Sequence, residues 1–355
     1  MSYRQTNAGP TLEALGFTPF FRSQCPVEAE HLLPARVLAV ERTGVVIAGS
    51  GLDGQLPIPP RCFDGPPEQR PTVGDWVLVD GTGPRLARVL ERSSRFARLA
   101  PGGEDVQLIA ANVDVVLLVS ACNRDFSPAR LERYLALVLD AGAVPVVVLT
   151  KRDLAEDADA FVQAAVRLRP GLAVELVNAL DGDDLAGVRA WCTPGSTVAL
   201  LGSSGVGKST LLNTLAGTVL QDTGAAREDD DKGRHTTTRR SLHRIDGDCW
   251  ILDSPGMREL GLVGVEAGLR AVFDDIEALA SACRFRDCRH HDEPGCAVLA
   301  AVARDELEAR RLASYHKLAR EERHATETLA ERRARFRRFG RLTREAQAVR
   351  DKRRH

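Results

Sequence analysis

The stretch Gly202, Ser203, Ser204, Gly205, Val206, Gly207, Lys208, Ser209 reads G-x-x-x-x-G-K-S, and it constrains this chain more than any other segment. A phosphate loop needs a strand before it and a helix after it. Ser196 to Leu201 is a short apolar strand, and Thr210 to Ala216 has helical spacing. Glycines let backbone N–H groups curl around an oxyanion, and the helix N-terminus adds partial positive charge. Lys208 is expected to reach the β- and γ-phosphates and Ser209 to hold Mg²⁺ through its hydroxyl, with Thr210 counted among the nucleotide-binding positions. Only five of the 48 basic residues are lysines, so a lysine in this slot is rarely accidental. The alternative is a Gly/Ser-rich turn that merely caps a helix.

Ahead of the loop, apolar strands alternate with helical patterns: strands at 113–120, 144–149, 173–177 and 197–201, helices at 128–141, 157–168 and 185–191. This predicts a mostly parallel sheet covered on both faces, with ligands at the C-terminal strand ends. One such end carries Thr150, Lys151, Arg152 and Asp153, similar to the N-K-x-D element that reads guanine in small GTPases. A carboxylate at Asp153 can accept from guanine N1–H and the 2-amino group together, whereas adenine offers neither donor there. Thr150 in place of asparagine removes an amide from the purine edge, and a helix-capping Asp is the alternative. Asn178 and Ala179, at the next strand end, are expected to offer backbone to guanine O6.

Beyond the loop, the polar run Asp222 to Lys232 leads into Gly233 to Thr238, read as a first switch in which Thr237 completes the Mg²⁺ shell. A strand at 249–252 then ends in Asp253, Ser254, Pro255 and Gly256, a D-x-x-G second switch. Asp253 would hold Mg²⁺ through water and Gly256 would sense the γ-phosphate; an ordinary turn is the alternative. Many GTPases follow D-x-x-G with a glutamine that orients the attacking water. Here Met257 stands there, and its thioether cannot donate a hydrogen bond. Catalysis is therefore assigned to Lys208, Gly256 and, for water positioning, the switch imidazole His235, with slow turnover expected in isolation. Base recognition precedes the phosphate loop, which makes the order circularly permuted.

Cys283, Cys288 and Cys296 fall within fourteen residues, with His290 and His291 between them. Three thiolates and one imidazole suit a closed, tetrahedral structural Zn²⁺, and spacing alone admits either histidine. From Ala297 to about Arg333 the pattern is helical. Residues 332–355 then carry eleven Lys/Arg against Glu345 and Asp351, a net +9 in a chain whose total is -1, so the remainder carries -10. Phe336 and Phe339 interleave those arginines, which suits RNA, against the alternative of a solvated tail. Near the other end, five short β-type runs (35–40, 45–48, 55–58, 76–79, 85–90) suit a small oligonucleotide-binding barrel or a generic one. Arg92, Arg95 and Arg98 follow them, to face a phosphate backbone or solvent, and Pro101 to Glu104 reads as a linker. There is neither an 18-residue apolar run nor a basic-then-apolar leader, so a cytoplasmic protein without membrane contact is expected.

Taken together, these residues resemble the bacterial ribosome small-subunit-dependent GTPase A family from about Ala35 to Lys317. The matching stretches are Val73 to Val77, Ile109 to Asp114, Thr150 to Leu154, Gly202 to Ser209, Gly233 to Thr238, Asp253 to Gly256 and Cys283 to Cys296. The resemblance implies a multidomain protein: an N-terminal extension (1–34), an OB-type β-barrel (35–100), a circularly permuted α/β P-loop GTPase domain (105–262), a mainly α zinc-binding domain (263–330) and an Arg-rich tail (331–355). It implies GTP hydrolysis with Mg²⁺, zinc held by Cys283, Cys288, His290 and Cys296, and binding to the small ribosomal subunit and its 16S rRNA late in maturation, by a monomer. Action on the large subunit, or a nucleotide-sensing RNA-binding module with negligible turnover, are the other readings. The chain departs from the family pattern at Asn178 and Ala179 and in its long basic end.

Overall fold

The computed structural model describes residues 10–29, 31–41, 43–49, 51–59, 70–83, 85–99, 106–219, 240–253, 257, 261–262 and 264–326. After a one-turn helix α1 (Pro19–Arg22), the chain forms β1 (Leu32–Glu41), β2 (Gly44–Gly49), β3 (Leu52–Leu56), β4 (Trp76–Asp80) and β5 (Arg85–Val89). The five expected strands are present. The third starts earlier than expected because Gly49 pairs directly with Leu52, which is buried, so the turn is only two residues long. β1 pairs with β2 along 35–41 and with β4 along 32–36, and β4 pairs with β5. Val37, Ile47, Leu56, Val79 and Leu86 form their shared apolar core. Among the described residues no pairing joins β3 to β5.

A hairpin that the sequence did not signal comes next, β6 (Arg95–Leu99) with β7 (Val106–Ala111), so the stretch read as a linker lies between two paired strands. Arg92 is also not a surface cation awaiting phosphate. Its Nε and Nη2 hold both oxygens of the fully buried Asp75 at 2.7 and 2.8 Å, while Asp75 accepts from the Thr72 amide at 2.7 Å. Neighbouring Gly74 has φ +88°, and a Cβ there would lie 2.0 Å from the Ala111 carbonyl, so glycine is required for this approach.

The central layer follows the expected alternation: β8 (Val115–Ala121), α2 (Pro128–Ala141), β9 (Val144–Thr150), α3 (Ala158–Val166), β10 (Ala173–Leu176), α4 (Ala186–Ala190), β11 (Thr197–Leu201), α5 (Lys208–Ala216), then β12 (Arg240–Arg244) and β13 (Trp250–Asp253). Strand order is β10-β9-β8-β11-β13-β12, parallel from β10 through β13, with β12 antiparallel. Side-chain alternation divides the two faces. Val116 and Leu118 of β8 pack with Leu131, Leu135 and Val138 of α2, whereas Leu117 and Val119 pack with Leu211 and Leu215 of α5.

The unanticipated strand β12 also pairs with β1, so the N-terminal strands continue the same sheet. Arg36 of β1 pins that junction. It is 2% exposed, donates to the carbonyls of Leu15 and Asn112 and to Thr197 Oγ1 at 2.5 Å, and lies over the Trp76 ring. Burial pushes its pKa down to about 10 while Asp114 pulls it up, so it remains a cation at neutral pH.

The C-terminal part is helical: α6 (Glu266–Val272), α7 (Asp274–Ala280), α8 (Ala297–Ala303) and α9 (Ala309–Thr326). The long helix expected from Ala297 is broken between α8 and α9, where Asp305 has φ +57°. Of these, α6 and α9 rest on α2, and α7 and α8 pack against each other. Gly268 of α6 comes so close that a Cβ would lie 2.0 Å from the Ala136 carbonyl. Beside it, the fully buried Glu132 carboxylate accepts from Arg310 and Arg311 at 3.1 Å each and from Ser314 Oγ at 2.5 Å, and Arg311 also holds Asp275. No helix among the described residues is long and apolar enough to cross a membrane.

Removing one partner of a buried ion pair leaves the other charge without compensation and costs roughly 3–5 kcal/mol. Glu132→Ala is therefore expected to destabilise by about that amount in denaturant unfolding. Arg304→Ala, which breaks a pair with Glu306 that is exposed at both ends, should leave the unfolding midpoint at the parental value. Equal effects from the two variants would contradict this assignment.

Candidate nucleotide site and Cys/His cluster

In an open parallel sheet the ligand crevice forms where successive connections leave in opposite directions. From β8 the chain proceeds outward to β9 and β10, while β11 lies on the other side of β8 and leads to β13. The loops after β8 and β11 thus diverge over neighbouring strand ends. The second of these is the G-x-x-x-x-G-K-S segment.

Its backbone is shaped by close approach. A Cβ at Gly202 would sit 2.3 Å from the Val119 carbonyl of β8. Gly205 and Gly207 have φ of +76° and +92°, and Gly207 precedes the first residue of α5. Val206 is buried in the core beneath, while Ser204 and Gly205 are exposed. Lys208 Nζ bends back to donate to the carbonyls of Gly202 (2.8 Å) and Ser203, which holds the ammonium over the loop mouth. Ser209 and Thr210 lie half-buried in the first turn of α5.

The structure brings the Thr150–Asp153 segment against this loop. Thr150 is fully buried, and its Oγ1 donates to the Val206 carbonyl at 2.6 Å. Lys151, at φ +59°, donates from Nζ to the Gly205 carbonyl at 2.8 Å. A threonine where asparagine is usual therefore has a role the sequence did not reveal, fastening the strand end to the phosphate loop. Asp153 follows in a 3-10 turn with its side chain exposed. Arg152 pairs with Asp184 at 2.9 Å, and the same carboxylate accepts from the Asn178 amide at 2.6 Å, so Asp184 knits the two base-side loops together. Ala179 is buried, and its carbonyl accepts from Thr214 Oγ1 of α5 at 2.8 Å.

Asp253 ends β13, half-buried, and the pairing of Ala199 with Leu252 puts it beside the mouth of the phosphate loop. Met257 is 2% exposed and belongs to the hydrophobic core, so its thioether packs instead of facing the crevice. His235, Thr237 and Gly256 lie outside the described residues.

Away from this crevice, Cys283, Cys288, His290 and Cys296 place four ligand atoms within 4.8 Å of one another. With Zn–S near 2.3 Å and Zn–N near 2.0 Å at tetrahedral angles, S···S separations of about 3.8 Å and S···N of about 3.5 Å are required. Cys283 and Cys296 sulfurs are 3.9 Å apart, and His290 Nδ1 is 3.6 and 3.4 Å from them. The set fits. His290 is buried with φ +60°, whereas His291 faces outward beside His316, which separates the two histidines that spacing left open. Burial pushes the Cys283 thiol up, but hydrogen bonds from the amides of Ala297 and Val298 and from the Cys288 and Cys296 thiols together outweigh it, and the net shift is down, towards thiolate. Glu293 orders the intervening loop by accepting from the amides of Arg289, His291 and Asp292, and the first of these holds its carboxyl down at about 2. No motif drew attention to Glu293.

Comparison with known proteins agrees with this geometry. Residues 89–263 match the sequence model of the family described as RsgA GTPase. The protein called small ribosomal subunit biogenesis GTPase RsgA 2 of Vibrio parahaemolyticus is 46% identical over 344 residues, covering 96% of this chain and 94% of that one. The RsgA protein of Mesorhizobium japonicum is 46% identical over 326 residues, 90% and 92% of the two chains. Two solved structures share the fold: YjeQ from Thermotoga maritima (TM-score 0.61, 24% identity, 81% of this chain and 97% of that one) and the circularly permuted GTPase YloQ (TM-score 0.58, 24% identity, 85% and 99%). In this chain too the Thr150 strand precedes the phosphate loop, and β13 follows it. On the strength of these relatives, the chain belongs to the RsgA GTPase family.

Proposed function

We propose that the protein is a Mg²⁺-dependent GTP hydrolase that binds the small ribosomal subunit and its 16S rRNA late in maturation and uses hydrolysis to time its release. The observation that carries the nucleotide half of this reading is the fastening of Thr150 and Lys151 to the backbone of Val206 and Gly205. It ties the strand end that carries Asp153 to the phosphate loop, which supports a guanine nucleotide lying with its base at the one and its phosphates at the other. The names of the relatives carry the ribosomal half.

In this reading Gly202 to Thr210 cradle the phosphates, and Lys208 pairs with the β- and γ-oxygens. Asp153 reads the base, with Lys151, Arg152, Asn178 and Ala179 around it. Mg²⁺ held by Ser209, Thr237 and, through water, Asp253 would neutralise charge developing between the β- and γ-phosphates. Gly256 senses the γ-phosphate and His235 positions water when the subunit is bound. Cys283, Cys288, His290 and Cys296 hold one structural Zn²⁺, a role the sulfur and nitrogen separations support. β1 to β5, with a first strand that pairs on both sides and an enclosed apolar core, are the greater part of an oligonucleotide-binding barrel spanning 35–100. The protein acts as a cytoplasmic monomer, and its basic tail from residue 331 contacts RNA phosphates.

GTP turnover measured alone, with small subunits and with large subunits tests the function. Other GTPases gain roughly 10³ to 10⁵ in rate when a missing catalytic group is supplied. Slow intrinsic turnover with at least about tenfold stimulation by small subunits is expected. Stimulation by large subunits alone would favour a large-subunit factor, and negligible turnover in all three conditions would favour a nucleotide-sensing RNA-binding module.

For the metal, Cys288→Ser is expected to lower zinc bound per chain and loosen the C-terminal helices while nucleotide affinity stays at the parental value. Zinc content measured by atomic absorption that is equal in variant and parent would contradict the ligand set.

A further inference from the structure

The loop after β8 delivers an arginine to the crevice that no nucleotide-binding motif includes. Ser127 caps α2 by accepting from the Arg130 amide, and Pro128 occupies the first turn, so the backbone at Arg130 is fixed. Because β8 and β11 are adjacent and parallel, with Leu118 opposite Leu201, this first turn stands beside the phosphate loop. Arg130 Nη1 donates to Ser203 Oγ at 2.7 Å and to the Asp125 carbonyl at 3.4 Å. Among the described residues the guanidinium meets no carboxylate, and its Nε and Nη2 donors have no partner.

The position along the loop matters. Lys208, the cation that pairs with the β- and γ-phosphates, is tethered to the carbonyls of Gly202 and Ser203, and Arg130 is tethered to the hydroxyl of the same Ser203. Two cations thus converge on the γ-phosphate end of the cradle. A guanidinium whose donors point along one edge can bridge two phosphate oxygens, which an ammonium cannot. The residue after D-x-x-G gives the transferring phosphate no donor, since Met257 stands in place of glutamine and its side chain is packed in the core. We propose that Arg130 is an arginine supplied in cis that contacts the γ-phosphate of the bound nucleotide and stabilises the charge spread over it during transfer to water. In that step the γ-phosphorus–bridging-oxygen bond breaks, water supplies the new oxygen, and its proton leaves to solvent or phosphate. The proposal rests on the GTPase reading above.

The test compares parent, Arg130→Ala, Arg130→Lys and, as a control for lost surface charge, Arg167→Ala at the exposed end of α3. Each is assayed for single-turnover GTP hydrolysis and for affinity towards GDP and a non-hydrolysable GTP analogue, with melting temperature as the check on folding. Cis and trans arginines are worth about 10³ or more in other GTPases. Arg130→Ala is expected to lose at least about tenfold in turnover and to weaken analogue binding while GDP affinity stays parental. Arg130→Lys should recover part of the analogue affinity and little of the rate, and Arg167→Ala should match the parent. Equal loss of GDP and analogue affinity would place Arg130 on the shared phosphates, and parental values for rate and affinity ratio would make it a surface residue. Either result overturns the proposal. A parent that binds but never hydrolyses GTP would sink the GTPase reading, and the analogue-to-GDP affinity ratio would still decide the contact made by Arg130.

Discussion

Two backbone carbonyls of the phosphate loop, those of Gly205 and Val206, are held by side chains from the end of the neighbouring strand β9. The bond from Thr150 is fully buried. An intramolecular hydrogen bond of this kind contributes about 1 kcal/mol net, and leaving its acceptor unmet in the interior costs roughly 1–3 kcal/mol. The loop therefore cannot relax away from the strand that presents Asp153. Glycines at 205 and 207 give the loop its left-handed turns, and the tether fixes its distance from the strand end that carries Asp153. A site for a base and its phosphates needs both.

Helix α2 extends this arrangement to the C-terminal helices. Its first turn reaches the phosphate loop through Arg130 and Ser203. One residue pair further on, Glu132 accepts from α9 in the interior and Arg133 pairs with Glu321 of the same helix. Gly268 brings α6 into backbone contact with α2. The helix bordering the nucleotide crevice is thus also the floor of the domain that carries the Cys/His cluster. The link between the two runs through this one helix, which touches Ser203 at its first turn and α9 just beyond.

What could be read from sequence was local. The phosphate loop, the T-K-x-D strand end, the strand–helix alternation and the cysteine spacing all place their chemistry within a few residues, and each element appears close to its expected bounds. What escaped was set by distant partners. No local pattern marks Arg36, because its acceptors at Leu15, Asn112 and Thr197 are far along the chain. Arg92, read as facing a phosphate backbone or solvent, pairs instead with the buried Asp75, and no motif marked Glu132. β12 and the β6–β7 hairpin are short and polar or flanked by glycine and proline, so neither showed an apolar rhythm. Thr150 looked like a defect in a base-reading motif because its benefit, a bond to Val206, exists only once two strand ends meet.

The central claim is that this crevice is built for guanine, and base specificity tests it most directly. Asp153→Asn turns an acceptor carboxylate into an amide that can donate to xanthine O2, with no change of size. Competition binding of GTP and XTP to parent and variant gives the ratio of affinities in one assay. The account predicts that preference moves from GTP towards XTP while the phosphate loop still binds either nucleotide. A variant that retains the full parental preference for GTP would show that Asp153 does not read the base, and the assignment of the crevice would fall with it.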